Sequence, residues 1–328
     1  PDYREFLQRK VDYGADSGFP PLSLPDFLFG FQEALVDWAI RKGRAAIFAD
    51  CGLGKTPMQL VWADNVVRHT NRPVLILTPL AVSGQTLEEA EKFRIEAHRA
   101  DVHSNPTAIQ VTNYEKLHHF EPTNYGGVVC DESSILKNFG GQRKAAITEF
   151  MRRVPYRLLC TATAAPNDWV ELGTSSEALG YLGYMDMLAK FFTNKVGSAA
   201  LMRGRFVRDE WRLRPHAEAP FWQWVSSWAR AARSPSDLGF DDDGFRLPPL
   251  QESHTLVKAT QPARGRLFDV PAANFFEERE VTRRTIHERC ERAAEKVAQH
   301  DVSMVWCHLN DEATMLRHMI PNSIEISG

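Results

Sequence analysis

The chain has 328 residues, 43% hydrophobic and 25% charged, with a formal net charge of −3, which allows two domains with sizeable cores and excludes a chain that is polycationic throughout, though not a local basic strip. No apolar run approaches the ~18 residues of a membrane span, and the N-terminal PDYREFLQRK has no apolar signal-peptide core. Five widely spaced cysteines (Cys51, Cys130, Cys160, Cys290, Cys307) form no CxxC pair, which argues against a zinc site or a disulfide framework and predicts a cytoplasmic protein, with Cys130 and Cys160 as buried thiols in apolar runs.

Residues 1–25 read as an arm lying on the surface. FQEALVDWAIRKG (31–43) carries Phe31, Leu35, Trp38 and Ala39 at helical spacing and closes on Gly43. AAIFA (45–49) is a short buried strand, followed by the loop DCGLGKT and a helix in which Pro57 is tolerated in the first turn. Further apolar runs predict strands at 73–79, within 108–117, at 126–133 and at 156–163. Amphipathic stretches predict helices at 83–93 and 141–154. Apolar runs alternating with amphipathic helices indicate an α/β fold, a parallel sheet covered on both faces. Residues 221–232 read as one helix whose aromatic group Phe221, Trp222, Trp224 and Trp228 is core by spacing, with base stacking as the alternative. Residues 234–250 are turn-rich and read as a linker. Residues 277–300 form a long charged helix, and 302–307, NDEATMLRHMI and 323–327 read as strand, helix and strand.

The chemistry lies at three strand ends. In FADCGLGKTPM, Gly52 and Gly54 let backbone N–H groups point inward, and the helix that follows offers its N-terminus to an anion. Lys55 is placed to reach phosphates and Thr56 to ligate Mg²⁺. In VVCDE, Asp131 ends a buried strand, where it can hold Mg²⁺, and Glu132 can act as general base. The strand before CTATAAPND ends in the hydroxyls Thr161 and Thr163. His118 and His119 have no partner at metal-ligand spacing. The arginine-rich stretch 203–214 is a candidate DNA contact or insertion.

Taken together, ADCGLGKT, DESS and TAT resemble motifs I, II and III of superfamily 2 helicases. The run DESSILKNFGG…TATAAPNDWVEL is similar to the Swi/Snf-type branch, with Leu136-Lys137-Asn138 after the carboxylates and Pro166 to Leu172 after motif III. LILTPLAVSGQ and IQVTNYEKL resemble motifs Ia and Ib, and VSMVWCHLNDEATML resembles motif IV. Compact helicase-like ATPases of phages and of bacterial mobile or defence loci are the nearest in character.

The resemblance implies a RecA-like P-loop lobe over 26–233, with a helical or insertion region from about 175. An inter-lobe linker over 234–280 and the start of a second RecA-like lobe over 281–328 complete the division. It explains Ala49 in place of a first glycine. It implies ATP and Mg²⁺ as cofactors, with Gln32 reading adenine, Gly52, Leu53, Gly54, Lys55 and Thr56 holding phosphates, and Thr56 with Asp131 holding the metal. Lys55, Asp131 and Glu132 would be catalytic, and Thr161 and Thr163 would couple the carboxylates to the second lobe. Ser83, Gly84, Gln85, Thr112, Asn113 and Tyr114 would contact DNA phosphates without reading sequence. The implied activity is ATP-driven translocation on duplex DNA, in a larger complex or alone. A strand-separating DNA or RNA helicase and a non-hydrolysing, nucleotide-gated assembly subunit are the alternatives. Two departures stand out. Ser133-Ser134 replace the family's small residue and histidine, and no counterpart of motifs V and VI occurs, so the expectation is a longer protein in which they follow Gly328.

Overall fold

A computed structural model describes residues 16–100, 108–137, 141–165, 167–194, 211–257 and 274–326. The chain divides into two units after Leu247.

The first unit is built on seven strands: β1 (Arg44–Ala49), β2 (Val74–Thr78), β3 (Ala97–Arg99), β4 (Ile109–Asn113), β5 (Gly127–Asp131), β6 (Tyr156–Cys160) and β9 (Ala229–Ala232). They form one sheet in the order β3-β4-β2-β5-β6-β1-β9, and all neighbours run parallel. A two-stranded antiparallel ribbon, β7 (Phe192–Asn194) with β8 (Trp211–Leu213), lies apart from it. The helices are α1 (Gly30–Lys42), α2 (Lys55–Thr70), α3 (Ser83–Lys92), α4 (Gln142–Arg153), α5 (Leu172–Leu179), α6 (Tyr184–Phe191) and α7 (Glu218–Trp228).

The pleat sends alternate side chains to opposite faces. Ala45, Ile47, Val74, Ile76, Val129 and Leu158 pack with Phe31, Leu35, Met58 and Trp62 from α1 and α2. Ala46, Phe48, Leu75, Leu77, Val128 and Leu159 pack with Ile147, Leu172, Phe191, Phe221 and Trp228 from α4 to α7. Both faces are therefore buried, which is why the strands read as continuous apolar runs. Cys130 and Cys160 are fully buried, as their apolar settings predict; burial pushes the Cys130 thiol up to about 12.

From β1 the chain leaps over two strand positions to β2. Those positions are later filled by β5 and β6. The carboxyl ends of β1, β5 and β6 thus converge, the place where open parallel sheets bind ligands.

Four expectations change in the first unit. The helix expected over 221–232 ends at Trp228, and Ala229–Ala232 add a parallel strand beside β1. These residues favour helix intrinsically, but the unpaired edge of β1 supplies hydrogen bonds that override propensity. Within the predicted arm, residues 16–25 are anchored: Phe19 is buried and stacks on His69 at 3.8 Å, and Asn65 Oδ1 accepts from the amides of Leu22 and Ser23. Residues 234–247, the start of the expected linker, belong to the first unit, where Phe245 packs edge-on against Phe29 and Phe31. The three core aromatics of α7 are buried as predicted, whereas Trp222 is half-exposed against Trp169.

The second unit holds α8 (Phe275–Arg284), α9 (Ile286–Val297) and α10 (Asn310–Met319). The single long helix expected over 277–300 is broken at Thr285, whose hydroxyl donates back to the Val281 carbonyl while accepting from Arg289 Nε. Arg289 also pairs with Glu312, which accepts the amides of His308 and Leu309 at the start of α10. The strands expected over 302–307 and 323–327 are not formed among the described residues. Val302, Met304, Trp306, Ile324 and Ile326 alternate as strand residues should, yet lie exposed. A strand is held by its neighbours, and none of the described residues pairs with these segments.

Candidate nucleotide site

The loop between β1 and α2 is set by two backbone conformations. Gly52 and Gly54 both have positive φ, 83° and 69°. A Cβ on Gly54 would lie 2.4 Å from Gln32 Nε2, so glycine is required there twice over, by conformation and by space. Gln32 is 3% exposed. Its Nε2 donates to the Leu53 carbonyl (2.9 Å) and its Oε1 accepts the Phe29 amide (3.0 Å). The expected adenine reader is thus also a brace between the start of α1 and the glycine loop. One further N–H and one further lone pair remain on its amide. The loop is pinned on its other side by Asp50 N donating to the Ala232 carbonyl of β9 (3.0 Å).

Lys55 Nζ donates to the carbonyls of Ala49 (3.0 Å) and Asp50 (3.1 Å). The ammonium is folded back over the loop that its own helix opens. Thr56 occupies the first turn of α2, beside Lys55.

Asp131 ends β5 and is 9% exposed. Burial raises its proton affinity; hydrogen bonds from Gln59 and the Glu132 amide work against that rise, the Glu132 charge adds to it, and Lys55 opposes it. Gln59 Nε2 donates to Asp131 Oδ1 at 2.7 Å. Tyr114 Oη donates to the Asp131 carbonyl at 2.5 Å.

Glu132 has φ 51°. A non-glycine residue in the left-handed region is uncommon and marks a backbone held there by its surroundings. The turn is what swings Glu132 away from the face its strand position would dictate. Its Oε1 accepts two hydroxyls, Ser134 Oγ (2.8 Å) and Thr161 Oγ1 (2.8 Å). Thr163 donates its backbone N–H to Thr161 Oγ1 (3.0 Å), buttressing the same hydroxyl.

The donor set suits a hydrated Mg²⁺. That ion prefers hard oxygens, keeps several waters and uses one or two carboxylates with substrate phosphates. Thr56 and Asp131 would supply the oxygens, and the buried Gln59 Oε1 has no hydrogen-bond partner, an acceptor suited to a metal-bound water. No cluster of three or more His, Cys, Asp or Glu side chains fit for a metal occurs among the described residues.

The candidate DNA contacts divide. Ser83, Gly84 and Gln85 lie at the start of α3 with partial or full exposure, Ser83 Oγ donating to the Leu80 carbonyl. Thr112 and Tyr114 are buried at 5% and 4% exposure, and the Tyr114 hydroxyl is taken by Asp131. Asn113 caps the following turn by accepting the Lys116 amide. These three side chains serve the sheet end rather than a surface. Most of the arginine-rich stretch 203–214 lies outside the described residues, as does the Leu-Lys-Asn step at Asn138. Sequence reasoning did not reach Gln59, Ser134 as a partner of Glu132, or Tyr114 as a support for Asp131. Gln59 alone left a signal, three positions after Thr56 and so on the same helix face.

No protein-family model matches the sequence, and no curated protein is similar to it by sequence. The fold is similar to solved structures. The SWI2/SNF2 ATPase core of Sulfolobus solfataricus in complex with dsDNA aligns with TM-score 0.50 at 18% identity, covering 66% of this chain and 46% of that one. The SWI2/SNF2 ATPase core domain of the same organism aligns with TM-score 0.50 at 19% identity, covering 70% of this chain and 47% of that one. The UvsW helicase of bacteriophage T4 aligns with TM-score 0.40 at 11% identity, covering 55% and 66%. The chain spans about half the length of the SWI2/SNF2 cores it matches. Among the described residues no helix is long and apolar enough to cross a membrane. With its seven-stranded parallel sheet covered on both faces and a glycine loop after β1, the first unit has a RecA-like fold similar to that of the SWI2/SNF2 ATPase cores.

Proposed function

We propose that the first unit binds and hydrolyses ATP with Mg²⁺, as the nucleotide lobe of a DNA-dependent motor acting on duplex DNA. The observation that carries this reading is the convergence of the glycine loop, Asp131 and the twice-bonded Glu132 at one end of the sheet. The N–H groups at the start of α2 receive the phosphates, with the helix N-terminus favouring negative charge. Lys55 exchanges its two loop carbonyls for phosphate oxygens. Gln32 has hydrogen-bonding capacity left for the adenine edge. Bound Mg²⁺ would be held by Thr56 and Asp131 and would neutralise charge on the phosphates. Glu132 orients a water and takes its proton, and the hydroxyls of Thr161 and Ser134 hold its carboxylate for that task. Ser83, Gly84 and Gln85 are the side of the lobe offered to a phosphate backbone. In the same reading, residues 281–328 begin the second lobe.

Duplex DNA is favoured over single strands because the SWI2/SNF2 core with this fold was solved with dsDNA. Phosphate release from ATP by the purified chain, with Mg²⁺ and with duplex, single-stranded or no DNA, tests the proposal. Stimulation by duplex is the expected result. Turnover indifferent to DNA would remove the motor and leave a nucleotide switch. Preference for single strands would favour strand separation.

A further inference from the structure

Gln59 is fully buried on α2, one turn beyond Thr56, and it is a polar side chain in an otherwise apolar stretch of that helix. Its amide edge is committed: Nε2 donates to Asp131 Oδ1 at 2.7 Å. Cys160 stands beside Asp131 in the β5–β6 register. A carboxylate demands a donor, so the amide can only be oriented with its carbonyl oxygen pointing away from Asp131. That oxygen, Oε1, is buried and without a partner.

A glutamine kept for packing alone would satisfy both ends or be replaced by an apolar side chain. An orphaned buried acceptor is costly to leave unpaired. The cost is understandable if the oxygen meets a donor when the site is filled. The helix that carries Gln59 begins at Lys55 and Thr56. One side chain therefore ties the phosphate-binding end of α2 to the carboxylate of β5.

We propose that Gln59 is a positioning residue of the divalent-cation site: its N–H edge sets the Asp131 carboxylate, and its free carbonyl oxygen accepts a hydrogen bond from a water of the bound cation. The inference rests on the nucleotide-site reading above. Its effect is on cation affinity, whereas nucleotide contacts made without metal belong to Lys55 and the loop amides.

The test uses the full chain, a fluorescent methylanthraniloyl-ADP probe and a series of Mg²⁺ concentrations, comparing wild type with Gln59→Leu and Gln59→Asn. Both variants should raise the Mg²⁺ concentration at half-maximal metal-dependent binding by about tenfold, and metal-free affinity for the probe should stay within about twofold, as for loss of a residue that orients a ligand. An unchanged Mg²⁺ midpoint in folded variants overturns the proposal. So does an equal loss of metal-free binding, which is what a role in packing alone produces. If the apolar variant does not fold, the Asn variant decides; if neither folds, Gln59 is a core residue and the proposal is wrong. Failure of wild type to bind the probe at any Mg²⁺ level would instead sink the nucleotide-site reading.

Discussion

Thr161 Oγ1 lies 2.8 Å from Glu132 Oε1, joining the end of β6 to the end of β5. Ser134 reaches the same oxygen from the other side. The carboxylate is therefore held by a strand neighbour and by its own turn, both through Oε1.

Removing that hold should affect turnover more than binding. Thr161→Ala is expected to lower kcat by about 10²-fold, the scale of a roughly 1 Å misplacement of a catalytic group. Thr161→Ser, which keeps the hydroxyl, should recover most of it. Ser134→Ala should show a smaller loss in the same direction, because the turn itself still places Glu132. Steady-state kinetics beside equilibrium nucleotide binding separates the two quantities. A rise in KM with unchanged kcat would show that the hydroxyls serve binding instead.

The two charged residues at the site should part company. Lys55→Ala is expected to abolish nucleotide binding, because nothing else in the loop replaces its cation. Glu132→Gln should bind nucleotide normally and reduce turnover by about 10²–10⁴-fold, the usual contribution of a general base. Normal turnover by Glu132→Gln would remove it from that role.

Gly54→Ala tests the brace between α1 and the loop. The added methyl collides with the Gln32 amide and is forced into a left-handed conformation that costs about 1–2 kcal/mol for a non-glycine residue. Nucleotide affinity should fall by about tenfold or more on that ground alone. Combining Gly54→Ala with Gln32→Ala removes the collision and leaves the backbone cost. The double variant should then lose less affinity than the sum of the two single losses, a coupling readable in a double-mutant cycle. Strict additivity would mean that the two residues do not meet in the nucleotide-binding state.

Burial holds the Asp131 carboxyl above the usual carboxylate range. Its folded pKa lies above its unfolded one, so this group contributes stability below the unfolded value. That contribution is lost as pH rises through the folded value. At neutral pH the ionised Asp131 thus weighs against the metal-free fold. Asp131→Asn should raise the Tm of the metal-free protein at pH 7, with the gain shrinking as pH is lowered, and should eliminate the effect of Mg²⁺ on nucleotide binding. A lowered Tm at pH 7 would show that hydrogen bonding outweighs burial there.

The placement of the loop glycines, Lys55, Thr56, Asp131 and Glu132 at the ends of β1 and β5 was legible because their spacing and their position after apolar runs reflect backbone needs that are local. The sheet was legible for the same reason: burial on both faces leaves uninterrupted runs such as VLILT and GVVC. Residues 229–232 were not legible, because an alanine-rich segment becomes a strand only when an open edge is beside it. Thr112 and Tyr114 were placed at a surface by analogy, and tertiary packing buried them. Gln59 pairs with a carboxylate 72 positions away, a relationship that no window of sequence contains. The exposed alternation at Val302, Met304 and Trp306 shows the converse, a strand pattern that pairing has not realised.

The β5–β6 register has a consequence for how the protein comes to be competent. Asp131 stands opposite Cys160, and Thr161 follows directly. A shift of one residue would turn every side chain of the strand to the opposite face, carrying Thr161 away from Glu132 and filling its place with an apolar or thiol group. Such a misaligned molecule could still look helical and collapsed. It could not assemble the site. On the proposed reading, nucleotide retention is therefore a stricter criterion of correct refolding than compactness or helix content, and the proposed nucleotide pocket doubles as the molecule's own proofreader of strand alignment.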